Sequence, residues 1–203
     1  MAVPLEPSWR RVWRQLGLTP PDGLREKLLA AYGESQRHYH ALQHLEECIA
    51  HFDGAVDLAT QPGEVEIALW FHDAVYDPQG KDNERRSADW AEQVLRDCGA
   101  AKAVRQRVHA LIMATCHDAE PTDADQRLLV DIDLAILGAP APRFAQYDQQ
   151  VRAEYAWVPA FLYRMKRAEI LKGFLARQPI YHTEHFRQRY EEQARANLRS
   201  VLG

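Results

Sequence analysis

The chain has 203 residues, of which 46% are hydrophobic and 27% charged, so it is long enough for one domain with a substantial buried core. This composition, with five Trp and ordinary numbers of Gly and Pro, excludes a disordered or collagen-like chain. The 25 basic and 29 acidic residues give a formal charge of −4. This charge gives no net positive field that would attract a polyanion, so we do not expect a nucleic-acid partner.

Helical spacing of apolar residues recurs along the whole chain, and we predict an all-α protein. After a Pro-rich entry, the predicted helices in chain order are 24–33, 38–52, 65–74, 83–99, 101–116, 121–138, 143–177 with an interruption at Pro159, and 184–202. The stretch 65–71 alternates like a strand, but its other face is also apolar, which favours a buried helix. No repeat or linker divides the chain, so we predict one domain over 1–203, with a core at about 36–138 and C-terminal helices at 143–203.

The cysteines and the N-terminal segment indicate a reducing compartment. Cys48, Cys98 and Cys116 are an odd number without CxxC spacing, which indicates neither a disulfide framework nor a thiolate zinc site. The start of the chain lacks a basic region followed by an apolar stretch, and no run of about 18 uncharged apolar residues occurs. We therefore expect a soluble cytoplasmic protein without a membrane partner.

Histidines occur in two places where a metal site could form. His40 and His44 are four residues apart, so on a helix they share one face. His72 and Asp73 are adjacent and follow an apolar stretch 28 residues after His44. Each residue taken alone is an ordinary core side chain, and it is their order and spacing that indicates a shared cation.

Two carboxylates lie in a later apolar segment. Asp131 and Asp133 flank Ile132, and an ionised carboxylate among apolar residues needs a counter-charge. A divalent cation would supply that charge, although both residues also suit the N-terminal turn of a helix, where the helix dipole favours a carboxylate. Because they are two residues apart, they point about 200° away from each other on a helix, so only one should face the cation.

The pattern of a His, a distant His-Asp pair and a later Asp resembles that of the HD superfamily of metal-dependent phosphohydrolases, which are all-α bundles. The segments that resemble a subgroup of small bacterial HD proteins, described only as predicted phosphohydrolases, are 37–44, 68–77, 82–88, 131–138, 152–155 and 194–198. The resemblance implies that the metal ligands are His44, His72, Asp73 and Asp133. Asp131 competes with Asp133 for the last position, and Asp133 is preferred because the family Asp usually begins the run that leads into the apolar helix.

Such a site would contain two imidazoles and two carboxylates and would leave positions for water. The divalent ion stays open among Mn²⁺, Fe²⁺, Co²⁺, Ni²⁺, Zn²⁺ and Mg²⁺. A bound cation would lower the pKa of water from ~15.7 toward ~7, which makes phosphoester hydrolysis feasible without a protein nucleophile. Asp73 and Glu84 are the candidate catalytic residues, Glu84 because it could orient the water or take its proton. A solvated Glu beside two arginines is the ordinary alternative for Glu84.

The candidate substrate-binding residues are Arg37, His40 and His117. Arg37, Lys81, Arg85 and Arg152 are candidate phosphate ligands, because a guanidinium offers bidentate donors to phosphoryl oxygens. Each of them taken alone also suits an ordinary surface charge. His40 could instead belong to an outer shell or to a second metal, and His117 suits a helix end equally well.

We therefore predict an enzyme, an HD-type metal-dependent phosphohydrolase that acts on a small phosphorylated molecule, a nucleotide being one candidate. One alternative is a di-iron oxygenase, in which His40 or His117 joins the four core ligands. Another alternative is a non-catalytic helical binding protein in which a metal only stabilises the fold. An extra ligand that closes the site would indicate this alternative. The apolar residues Tyr155, Trp157, Phe161 and Leu162 suit either the core or the surface of a homodimer.

Overall fold

The protein is helical throughout the region that the computed structural model describes, residues 5–203. The α-helices are, in chain order, α1 (Leu5–Leu16), α2 (Leu24–Tyr32), α3 (Leu42–Asp53), α4 (Pro62–Phe71), α5 (Asn83–Asp97), α6 (Lys102–Met113), α7 (Ala124–Asp133), α8 (Ala141–Glu154), α9 (Ala160–Ala176) and α10 (Glu184–Leu202). Short 3-10 helices occupy Val56–Leu58, Ala114–Cys116 and Leu134–Gly138, and no strand occurs between residues 5 and 203. The predicted all-α class is confirmed.

Residues 1–4, part of the N-terminal segment considered above for a targeting signal, lie outside the described residues. Within the described part of the chain, no helix combines the length and apolar character needed to cross a membrane.

Several predicted helix boundaries differ from the observed ones. The sequence predicts a helix from residue 38, but α3 begins at Leu42 because Ala41 is extended, with φ −120° and ψ −175°. Helix α1 falls in the stretch that was predicted only as a Pro-rich entry. The predicted interruption at Pro159 is confirmed, since this residue caps the start of α9.

Contacts between residues group the chain into two compact units, one ending at Val130 and the other comprising Asp131–Gly203. The single domain over 1–203 stays a prediction.

Helix α4 is the central helix of the first unit. Every residue from Gly63 to Phe71 is buried, and α4 contacts α1, α3, α5 and α6. A helix that is surrounded by other helices needs apolar residues on every side, which explains why its sequence also alternates like a strand. The expected buried helix is confirmed.

A buried acidic residue joins α4 to α1. The Glu66 side chain is inaccessible to solvent and accepts hydrogen bonds from Ser8 Oγ (2.6 Å) and from Arg11 Nε (3.0 Å) and Nη2. Trp70 Nε1 donates to Ser8 Oγ at 2.9 Å. Because a buried carboxylate is stable only with partners, this network fixes α1 against α4.

The second unit is organised around the 3-10 helix Leu134–Gly138 and α10. Asn197 Nδ2 donates to the carbonyl oxygens of Leu137 and Ala139, both at 2.8 Å. A Cβ atom at position 138 would lie only 2.6 Å from the Cβ of Tyr190. Glycine is therefore required at position 138 for the two helices to approach this closely.

Candidate metal centre

The end of α4 presents two candidate ligands. His72 follows the last residue of α4 with nearly helical backbone angles, φ −55° and ψ −39°, and Asp73 begins the turn. The Tyr32 hydroxyl donates to the carbonyl of Trp70 and accepts from the amide of Asp73, both at 3.3 Å. Tyr32 is buried, and burial is the largest of the effects that raise its pKa to about 12. It therefore stays protonated and fixes the start of this turn.

Three potential ligand atoms form a triangle at this point. His44 Nε2 lies 3.0 Å from His72 Nε2 and 3.3 Å from Asp73 Oδ2, and His72 Nε2 lies 3.2 Å from Asp73 Oδ2. His44 and His72 are buried, while the Asp73 side chain is 15% exposed. Residues that are far apart in the sequence thus direct their donor atoms to one point, which is open on the Asp73 side.

The dimensions of the triangle match those of a coordination shell. With metal–ligand distances of about 2.1 Å, neighbouring ligand atoms are about 3.0 Å apart in an octahedron and about 3.4 Å apart in a tetrahedron. The three observed distances, 3.0, 3.2 and 3.3 Å, fall within this range. Imidazole nitrogen and carboxylate oxygen are donors that divalent transition metals accept. The group can therefore hold a metal ion.

A hydrogen bond fixes the tautomer of the neutral His72 ring. Its Nδ1 lies 2.7 Å from the carbonyl oxygen of Leu69, and because a carbonyl only accepts, Nδ1 carries a proton. In the neutral imidazole Nε2 is then unprotonated, and its lone pair points toward His44 and Asp73. Hydrogen bonding of the distal nitrogen to a backbone carbonyl is the usual support of a metal-bound histidine.

The charges of the group favour a cation at its centre. Burial lowers the pKa of His72, but the Asp73 carboxylate, Tyr32 and Cys48 together outweigh burial, so the pKa lies well above its ordinary value. Burial raises the pKa of Asp73, whereas His72 and His40 lower it, so this pKa lies well below its ordinary value. The metal-free group thus holds a proton between ionised Asp73 and the imidazoles, in the place where a metal ion would supply positive charge.

Cys48 belongs to the same group, and the spacing of the cysteines did not predict this. It lies one turn after His44 on α3, is buried, and places Sγ 3.7 Å from both ring nitrogens of His44. The potential ligand atoms of His44, Cys48 and His72 all lie within 4.8 Å of one another. Burial raises the pKa of the Cys48 thiol, but the two histidines outweigh burial and the net shift is downward. The helical i, i+4 spacing from His44 was the signal that could have found it.

Arg37 occupies a different environment from the one expected of a phosphate ligand. Its side chain is buried, with Nη1 donating to the carbonyls of His40 (3.1 Å) and Asp73 (2.5 Å) and Nη2 to that of Ala74 (3.0 Å). Its Nε donates to Glu34 at 3.0 Å. These bonds hold the turn after α4, so the geometry favours a structural role for Arg37 over the predicted role in substrate binding.

His40 lies beside the group but is oriented by an aromatic neighbour. Its ring stacks on Tyr76 with centroids 4.2 Å apart, and its centroid is 6.1 Å from that of His44. His40 is half-buried and close enough to lower the pKa of Asp73. The predicted shared face of His40 and His44 on one helix is wrong, because α3 begins only at Leu42.

Glu84 lies close enough to Cys116, the residue before His117, to affect the pKa of the Cys116 thiol. Glu84 is in the first turn of α5 and half-buried. Burial, followed by the Glu84 carboxylate, raises the pKa of Cys116, which precedes His117, to about 11. His117 ends the 3-10 helix Ala114–Cys116 in a left-handed conformation, with φ 56°. A left-handed non-glycine residue is uncommon and occurs often in functional segments.

The contacts of Asp131 within the second unit show how its carboxylate is used. Asp131 is inaccessible to solvent, and its oxygens accept from the amides of His182 and Thr183 and from the Thr183 hydroxyl, each at 2.7 Å. His182 Nδ1 lies 3.1 Å from the same carboxylate. Asp131 thus holds the segment that precedes α10, and its oxygens are already occupied by donors. Asp133, the last residue of α7, stays the ligand that the resemblance implies.

Comparisons of the chain with family models, with curated proteins and with solved structures found no match.

Proposed function

We propose that the protein is a metal-dependent phosphohydrolase that acts on a small phosphorylated substrate. The observation that carries this proposal is the triangle of His44 Nε2, His72 Nε2 and Asp73 Oδ2, with sides of 3.0 to 3.3 Å. These three residues occupy the positions that the sequence resemblance implies for metal ligands, and Asp133 is proposed as a further ligand on the resemblance alone.

We assign a separate role in the reaction to each residue of the site. His44, His72 and Asp73 hold the ion, and Leu69 keeps the Nε2 lone pair of His72 available. A bound divalent ion lowers the pKa of water and polarises a phosphoryl oxygen. Glu84 accepts a proton from the attacking water, and His40, at the rim of the group, donates a hydrogen bond to the substrate.

Cys48 favours a second candidate function, a helical protein in which the metal only stabilises the fold. An additional ligand that fills the coordination shell would leave no place for water, as in structural zinc sites. The two functions differ in whether the metal-loaded protein retains a water-accessible coordination position and hydrolyses phosphoesters.

The test starts with protein purified without an affinity tag, in which bound metals are measured by mass spectrometry. Hydrolysis is then assayed with a panel of nucleotides and sugar phosphates. We expect one or more divalent transition metals per chain and turnover of at least one substrate. We expect H72A and D73N to lose both the metal and the turnover, while E84Q keeps the metal and loses about 10²- to 10⁴-fold in rate.

His109→Ala is the matched control, because His109 lies on α6 and pairs with Asp89 at the surface. It should keep both properties. Metal binding without hydrolysis of any substrate would favour the stabilising role, and two irons per chain would favour the oxygenase. Full turnover by metal-free D73N would overturn the proposed site.

A further inference from the structure

The surface of the second unit carries an apolar patch at the start of α9. Trp157, Phe161, Leu162 and Met165 are 57%, 64%, 47% and 51% exposed. Phe161, Leu162 and Met165 lie within an arc of about 100° on α9, and Trp157 shortly precedes the same end of the helix. No charged residue occurs between positions 157 and 163. We call these four residues the α9 patch.

The opposite side of α9 packs within the second unit. Leu171 is buried, Arg167 Nε donates to Asp148 of α8 at 3.1 Å, and α9 packs against α10. Large apolar residues therefore lie on both sides of α9, as they lie on every side of α4. Such a pattern is typical of a helix that has neighbours all around it. In the single chain the side of α9 that carries Phe161 is exposed.

The charges of α9 distinguish an apolar partner from an anionic one. The helix contains four basic residues and one acidic residue. Lys166 pairs with Glu169 at 2.8 Å and Arg167 pairs with Asp148 at 3.1 Å, so two of the four basic residues are neutralised by carboxylates. A helix that lies on an anionic membrane requires a polar face rich in Lys and Arg. These pairs and the uncharged stretch 157–163 favour an apolar protein surface as the partner.

The area of the α9 patch suits a second copy of the chain. With about 200 Å² for a residue of this size, the exposed fractions correspond to about 440 Å² per copy. Two such patches facing each other would remove about 900 Å² from solvent. Because about 65% of a homodimer interface is apolar, the complete interface would cover about 1,300 Å². Stable interfaces bury about 1,200 to 2,000 Å², so the patch is large enough to form the core of one.

We propose that the α9 patch is the contact surface of a homodimer, in which the patches of two copies face each other across a two-fold axis. A two-fold interface brings the same surface of both copies together, so one uncharged patch meets another. Each copy then covers the exposed side of α9 in the other. This inference rests on neither the proposed metal centre nor the hydrolytic activity.

Sedimentation velocity of the full chain at concentrations between about 1 and 100 µM tests the proposal. We expect the wild type to be dimeric in this range or to become so as the concentration rises. F161E and M165E should each raise the dissociation constant of the dimer at least about 100-fold, because a two-fold interface buries the new carboxylate in both copies. Both variants should keep the circular dichroism of the wild type, since these side chains are exposed in the single chain.

Ile170→Glu is the matched control, because Ile170 is 52% exposed on the same helix but lies about 180° away from Phe161. I170E should dimerise as the wild type does. A wild type that stays monomeric over the whole range, or a dimer that F161E and M165E leave intact, would overturn the proposal. A monomeric wild type that sediments with vesicles of anionic phospholipid would also overturn it, and would assign the patch to a lipid surface.

Discussion

His44 Nε2 and His72 Nε2 lie 3.0 Å apart, although the two residues belong to different helices and 28 positions separate them. Two lone pairs at this distance repel each other unless a proton or a cation lies between them. In the metal-free protein the proton is favoured, because Asp73 holds the pKa of His72 well above its ordinary value. The competition between a proton and a metal ion for this position has measurable consequences.

Metal affinity should rise with pH. Below the raised pKa of His72, a metal ion must displace one proton, so we expect the apparent affinity to increase about tenfold per pH unit and to level off above that pKa. Calorimetry in two buffers of different ionisation enthalpy measures the protons released. An affinity that does not change with pH in the wild type would contradict this account.

His72 and Asp73 should both affect the stability of the metal-free protein, and their contributions should change with pH in opposite directions. The raised pKa of His72 contributes stability below its unfolded value of about 6.5, and this is lost as pH rises through the folded pKa. The lowered pKa of Asp73 contributes stability above its unfolded value of about 3.8, and this is lost as pH falls through the folded pKa. The free energy of unfolding of the metal-free chain, measured with urea at a series of pH values, should therefore be highest between these two unfolded pKa values. A flat profile shared by wild type and D73N would contradict it.

Asp131 and Asp133 should separate stability from metal binding. We expect D131N to lower the free energy of unfolding by about 2 to 4 kcal/mol, since an amide cannot accept from all the donors that the carboxylate binds. Its metal content should stay unchanged. D133N should lose metal and keep the stability of the metal-free protein.

Thr183→Ala removes one of the donors to Asp131 and so measures a part of the first of these effects. Thr183 caps α10 and accepts from the amide of Phe186, so its loss should cost about 0.5 to 2 kcal/mol. The reverse result, in which D131N loses metal while its stability is unaffected, would assign the ligand to Asp131.

Arg37 should affect folding and metal binding rather than phosphate binding. Lysine cannot reproduce the planar set of donors that contacts the carbonyls of Asp73 and Ala74. We expect R37K to lower the free energy of unfolding by about 2 to 4 kcal/mol and to weaken metal binding about 10- to 100-fold. At saturating metal, inhibition by inorganic phosphate should be unchanged. R85K, at an exposed position of α5, is the control, and weaker phosphate inhibition with normal stability in R37K would instead support the phosphate-binding role.

The network between α1 and α4 should act as a unit. Arg11→Met leaves the buried Glu66 carboxylate without its cation, so we expect a loss of about 3 to 5 kcal/mol in urea unfolding. The double variant R11M/E66Q should lose less than the sum of the two single variants. Arg10→Met changes an exposed pair with Glu6 and should cost no more than about 1 kcal/mol. Additive effects in the double variant would show that Arg11 and Glu66 act independently.

The sequence predicted the helices well because their apolar spacing is regular, and it failed where tertiary contacts decide. The carbonyl of His40 is held by Arg37, and this bond lies in the irregular segment that delays α3 to Leu42. Apolar spacing contains no information about such a contact. The helical nature of α4 could be predicted because its apolar residues cover all sides, which fits a helix surrounded by others.

The candidate centre was predictable in part. The order of His44, His72 and Asp73 in the chain matches a known pattern, and the structure brings these side chains together. The role of Arg37 could not be decided from the sequence, because a guanidinium suits phosphate and backbone carbonyls equally well, and its phosphate-binding role stays a prediction. The position of Cys48 beside the metal-ligand candidates was not predicted, because the spacing between cysteines contains no information about it. The i, i+4 spacing of Cys48 from His44 does contain that information.

The full burial of α4 makes the centre sensitive to substitutions far from it. Because His72 directly follows a helix that is packed on every side, a volume change in the middle of that helix should displace the imidazole instead of being absorbed at a surface. Conversely, an ion bound only by the folded chain stabilises that chain by RT ln(1 + [ion]/Kd), so the melting temperature rises with the concentration of the ion and with its affinity. A thermal-shift titration with different salts would then rank the ions by how well each fits, before any substrate is known.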